Sequence, residues 1–175
     1  VIGSRMSGNS VRRKNPNNFD HQLAFFAALF ACLAKIAKAD GQVTSDEIKK
    51  IEDFISHKFN LDGEQRDFAI NIFQKAKDDK VSFDAYAKQL ANLLKSSPNS
   101  LVIFYELLFE LAMADGVLHP NEEKLLKRVP KIFGFSDAIY DQLFQKYGLK
   151  TSNFYQVLGV NKDMKFEEIR KIYLI

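Results

Sequence analysis

From Asp20 onward, apolar residues recur every three to four positions, the spacing of one face of an α-helix. Leu23, Phe26, Phe30, Leu33 and Ile36-Ala37 line a first helix up to Ala39, and Gly41 stops it. Thr44 and Glu47 stand three apart as a capping box, opening a second helix with Ile48, Ile51, Phe54 and Ile55 as its stripe. Asn60 ends that helix. Asp62 can cap a third, in which Phe68, Ile70 and Phe73 are expected to be buried. Ser82 caps a fourth, with Phe83, Tyr86, Leu90 and Leu93-Leu94, before Ser97-Pro98 breaks the pattern. A fifth runs from about Ser100 to Ala114. His119-Pro120 begins a sixth, with Pro120 suited to a first helical position, and Gly134 ends it. Ser136 caps a seventh, with Ile139, Leu143 and Tyr147, closed by Gly148. No stretch alternates long enough to compete as a strand. The pattern therefore predicts an all-α bundle of about seven helices over residues 20–148.

The chain also repeats itself at an offset of 75 residues. Ala39-Asp40-Gly41 returns as Ala114-Asp115-Gly116, and Leu33, Ala37, Glu47 and Lys49 return as Leu108, Ala112, Glu122 and Lys124. A helix pair alone leaves an apolar face exposed, and a second copy can cover it, so a pseudo-twofold arrangement is expected. The repeated Asp-Gly invites comparison with a calcium-binding EF-hand loop. That comparison fails, because loop positions 1 and 3 would fall on Ile36 and Lys38, and in the second copy on Leu111 and Met113, none of which offers a hard oxygen. Local structure accounts for both copies. Gly41 and Gly116 supply a left-handed turn, Asp40 and Asp115 bond nearby amides, and Glu47 and Glu122 complete helix caps.

Composition narrows the class without naming a chemistry. Sixteen Phe and no Trp imply a Phe-rich core, and a net charge of +3 is too small to argue for nucleic acid. The single cysteine, Cys32, lies in an apolar helical pattern and reads as an inert core thiol. No run of eighteen apolar residues suggests a membrane span. His21, His57 and His119 show no metal-binding spacing, and no nucleophile, base and orienting group assemble, so the chain is not expected to be an enzyme.

Residues 1–19 carry Arg5, Arg12, Arg13 and Lys14 with no acid before Asp20, and read as a basic, flexible leader. Juxtamembrane segments on the cytoplasmic side share that bias. Residues 149–175 read as the opening of another domain. A short apolar turn, Phe154-Tyr155-Gln156-Val157-Leu158, stops at Gly159, and an amphipathic helix starts at Lys165. Phe154-Tyr155, Leu158-Gly159-Val160 and Glu167-Glu168-Ile169-Arg170-Lys171-Ile172-Tyr173 resemble, in order and spacing, the start of a J domain, the module by which DnaJ-type co-chaperones engage DnaK-type chaperones. The resemblance implies a partner-facing basic set of Lys165, Arg170 and Lys171. The His-Pro-Asp loop that the family needs to stimulate ATP hydrolysis would fall beyond Ile175. The chain's own His119-Pro120 is followed by Asn121, in another context.

The doubled Ala-Asp-Gly within a seven-helix pattern resembles the TerB-like domain of tellurite-resistance proteins, over roughly residues 22–148. That resemblance implies acidic metal candidates, here Asp40, Asp46, Glu47, Asp115, Glu122 and Glu123. Asn121 replaces the equivalent of Asp46 in the second copy, so two such sites would be unequal. The residues alone call for no cofactor. A TerB-like domain leading into a J domain is similar to the DjlA-type membrane co-chaperones. In that family a membrane span precedes the TerB-like domain, which precedes a C-terminal J domain, and the helical domain here would act as an interaction module that positions the J domain. The expected function is that of a fragment of a bacterial inner-membrane co-chaperone, facing the cytoplasm and recruiting a DnaK-type chaperone. The alternative is a metal- or tellurite-stress binding protein with a J-like tail.

Overall fold

A computed structural model describes the backbone of residues 16–157 and the side chains of residues 21–148. The described chain is helical, with no strand among the described residues. The helices are α1 (Pro16–Ala37), α2 (Ser45–Asp53), α3 (Gly63–Asp78), α4 (Phe83–Leu93), α5 (Pro98–Ala112), α6 (Pro120–Leu126), α7 (Val129–Phe133) and α8 (Ala138–Val157). A π-helical turn, Phe54–Lys58, prolongs α2.

The reason α1 lies at the centre is written in its second half. Residues 28–34, 36 and 37 are all apolar and all buried, and a helix that is apolar on every side must be covered on every side. α3 and α4 pack most heavily against it, and α5 and α6 also meet it. α5 is the second buried helix and takes α2 and α8 on its flanks, while α7 rests on α4. Phenylalanines knit the layers. Phe25 of α1 meets Phe104 of α5 with ring centroids 5.1 Å apart, and Phe26 meets Phe59 edge-on at 5.8 Å. Tyr105, wholly buried on α5, donates its hydroxyl proton to the Leu126 carbonyl at the end of α6 (2.8 Å).

Several expectations shift. α1 starts at Pro16, four residues ahead of Asp20, and proline is favoured in a first helical turn. The expected sixth helix is two, α6 and α7. Pro130 has no N–H to donate and sits in the first turn of α7, where none is needed, so the helix restarts there. Asp62 precedes α3 but makes no side-chain cap bond. In α3, Ala69, Phe73 and Ala76 form the buried line. Phe68 and Ile70 are only half-buried, because they lie to either side of the stripe that Ala69, Phe73 and Ala76 turn inward. Ile48, expected in the stripe of α2, is exposed. The last helix does not close at Gly148 but runs on to Val157. The basic set Lys165, Arg170 and Lys171 lies outside the described residues.

Candidate functional site

The two Asp-Gly turns are built alike, bond for bond. α1 unwinds through Ala39, whose N–H reaches the Ile36 carbonyl (3.0 Å), and Gly41, whose N–H reaches that of Lys38 (2.9 Å). α5 unwinds through Ala114 to the Leu111 carbonyl (2.9 Å) and Gly116 to that of Met113 (3.0 Å). Each glycine then turns into the left-handed region, at φ 99° for Gly41 and 86° for Gly116. Each aspartate locks its turn by accepting the N–H two residues on: Gln42 to Asp40 Oδ1 at 3.0 Å, Val117 to Asp115 Oδ1 at 2.9 Å. Each glutamate reaches back to the amide before its helix: Thr44 N–H to Glu47 Oε2 at 2.7 Å, His119 N–H to Glu122 Oε2 at 3.0 Å. In the first copy Thr44 completes the box, its Oγ1 accepting from the Glu47 N–H (3.2 Å).

Tertiary packing brings the two turns together. His119 Nε2 lies 3.3 Å from Asp115 Oδ2 and 3.9 Å from Asp40 Oδ2, so one imidazole stands between the two aspartates. Behind them Glu47 and Glu122 are buried, with 5% and 2% of their surface exposed. Glu47 Oε1 is buried with no hydrogen-bond partner in the protein. Carboxylates withdrawn from water this far resist ionisation. Burial raises the Glu122 carboxyl to about 8. The His119 N–H partly offsets this, and the negative fields of Glu47, Asp115 and Asp40 add to it. Glu47 is also raised, by burial first and then by Asp40 and Asp115, against the lowering effect of its bonds to Thr44.

Of the acidic candidates, the fold thus gathers Asp40, Glu47, Asp115 and Glu122 and leaves out two. Asp46 is exposed and pairs with Lys49 at 3.3 Å. Glu123 faces the other way, where it accepts from the Tyr140 hydroxyl (3.0 Å) and pairs with Lys127 (2.8 Å). Among the described residues no group of three or more His, Cys, Asp or Glu is arranged to hold a metal ion. Metal binding at these acids is implied by the family resemblance alone. His119 is the member that sequence reasoning missed. Its signal was its place four residues after Asp115, on the opening of a helix rather than in a metal-type spacing.

Elsewhere the polar contacts hold elements together. Lys35 of α1 pairs with Asp79 at the end of α3 (2.7 Å), and Tyr86 of α4 bonds the same carboxylate. Cys32 is fully buried, and burial pushes its thiol up, away from the reactive thiolate. No described helix is long and apolar enough to cross a membrane.

Fold and turns together define a small helical domain organised around two matched Asp-Gly helix junctions. The chain belongs to the TerB family, described as tellurite resistance protein TerB, whose model matches residues 26–145. Its curated relatives include co-chaperone proteins DjlA. That of Photobacterium profundum is 30% identical over 90% of this chain and 65% of its own length. The Vibrio parahaemolyticus protein is 32% identical over 75% of this chain and 46% of its own. The Escherichia coli K12 protein is 30% identical over 74% and 47%. The chain therefore spans about half to two thirds of the length of these relatives. No solved structure matches it significantly.

Proposed function

We propose that this chain is part of a co-chaperone that engages a DnaK-type chaperone through the J-like segment beginning at Ser152, with the helical domain as an interaction module and no enzymatic activity of its own. One observation carries the reading. The match to the Photobacterium co-chaperone covers 90% of the chain, more than the TerB match at residues 26–145 spans. The J-like order of Phe154-Tyr155, Leu158-Gly159-Val160 and Glu167–Tyr173 lies in the part beyond the TerB match. The basic face Lys165, Arg170 and Lys171 would meet the chaperone. Exposed ion pairs contribute only about 0–1 kcal/mol each, so these contacts alone bind weakly. An upstream membrane anchor, with the domain on the cytoplasmic face of the inner membrane, fits the basic leader.

Single-turnover ATP hydrolysis by a DnaK-type chaperone tests this. This chain should stimulate little. The same chain extended through a complete J domain with its His-Pro-Asp loop should stimulate, and Arg170→Ala with Lys171→Ala should weaken that in a salt-dependent way. No stimulation by the extended protein would sink the co-chaperone reading.

A further inference from the structure

The end of α8 carries two contradictory instructions. Its first half is anchored. Tyr140 and Leu143 are buried, Lys146 pairs with Glu106 of α5 at 3.0 Å, and the Tyr147 hydroxyl reaches Glu110 at 3.3 Å. From Gly148 on, the sequence reads as a stop followed by a start. Elsewhere in this chain glycine just after a helix marks its end, at Gly41, Gly116 and Gly134, each with positive φ, and Thr44 and Ser82 open helices as caps. Gly148 and Ser152 have the same residue types in the same order, with Thr151 and Asn153 beside Ser152. Gly, Ser, Thr and Asn are all poor helix-interior residues. Yet the helix continues through them to Val157. Nine residues of helix beyond Gly148 are too few to be stable alone in water.

We propose that residues 148–153 form a two-state hinge. In one state α8 is continuous. In the other Gly148 closes a shorter helix, and Ser152 caps a new one beginning at Asn153. A Cβ placed on Gly148 would lie 3.7 Å from the Phe144 ring, an ordinary contact, so nothing but backbone freedom calls for glycine there. The consequence rests on the co-chaperone reading. The continuous state holds the J-like segment as a stiff extension of the helical domain, and the broken state releases it to swing.

The test measures distance between spin labels on Gln142→Cys and Gln156→Cys, since the fully buried Cys32 does not take a label. Fourteen residues of unbroken helix span about 21 Å. The unmodified hinge should give two populations, a narrow one at that distance and a broader, shorter one. Gly148→Ala with Ser152→Ala and Asn153→Ala should reduce the short population on the order of tenfold. Asn153→Pro should abolish the long one, because proline denies the helix a donor while fitting the first position after a Ser152 cap. A single distance without the hinge substitutions, long or short, overturns the proposal, as does a ratio unmoved by the triple substitution. These distances do not depend on any chaperone, so failure here leaves the co-chaperone reading standing, and failure of ATPase stimulation leaves the hinge standing.

Discussion

Burial and charge conflict most sharply at Glu122. It must give one oxygen to the His119 amide, and in doing so it leaves water among three other carboxyls. Unfolded, its carboxyl ionises near 4.5, and in the fold near 8, so the folded state holds the proton more tightly. Stability from that proton is fully present below about pH 4.5 and is lost as pH rises through about 8. Thermal unfolding should therefore show a domain less stable at pH 8.5 than at pH 5.5. Glu122→Gln keeps the acceptor and removes the charge. It should raise stability at pH 8.5 by on the order of a few kcal/mol, change little at pH 5, and flatten the profile. Glu47 acts in the same direction, so some slope should remain until it too becomes Gln. A profile unchanged by Glu122→Gln would mean the carboxyl is not held protonated. The turns beside it make a simpler case. A methyl on Gly41 meets nothing within 4 Å, so the cost of Gly41→Ala is backbone strain at φ 99° alone, about 1–2 kcal/mol. Asp40→Ala should cost about 1 kcal/mol, as a lost cap does. Calorimetric titration with calcium, magnesium and zinc should give the same result before and after that change. A micromolar site lost with Asp40 would replace the structural role with a metal one.

At the scale of elements, much of the fold was legible because its signals are local. Thr44 with Glu47, Ser82, Gly41 and Gly134 act within one turn of backbone, and each falls where the helix ends fall. What was hidden depends on partners distant in sequence. Phe68 and Phe73 look alike in sequence, and only the face that α3 turns to the core, the line of Ala69, Phe73 and Ala76, decides which is buried. Glu47 and Glu122 could each be read as a cap. That their caps would meet, with His119 between the aspartates, needed the whole packing of α1 and α6. Tyr105 shows the same limit, since its aromatic body fits the stripe of α5 but its acceptor lies 21 residues away. Tyr105→Phe should lower unfolding stability by about 1–2 kcal/mol, because the Leu126 carbonyl loses its buried donor. Chemical denaturation measures it, and no loss would mean that carbonyl finds another partner.

For the whole molecule, the question is which residues the helical core needs. α1 and α5 are its two enclosed helices, and among the described residues the side chains that enclose them lie at or before Tyr147. Leu143 is the last buried core residue among those described, and Tyr147 closes α8 onto α5 by stacking on Phe109, with ring centroids 6.1 Å apart. The matched turns and the buried glutamates are likewise complete before that point. A chain ending at Gly148 should therefore unfold in one cooperative thermal transition, within a few degrees of the full chain. It should also keep the same pH dependence, because Glu47 and Glu122 stay where they are. The charges that act on the buried cluster, those of Asp40, Asp115 and the two glutamates themselves, all stay in place. Ending the chain at Ser136 instead removes Tyr140, Leu143 and Tyr147, uncovers one side of α5 and takes away two buried large side chains. Such losses cost several kcal/mol, of the order of a small domain's entire stability. That shorter chain should fail to unfold cooperatively. If the chain ending at Gly148 fails as well, the second half of α8 belongs to the core, and the domain extends beyond the residues that pack on α5.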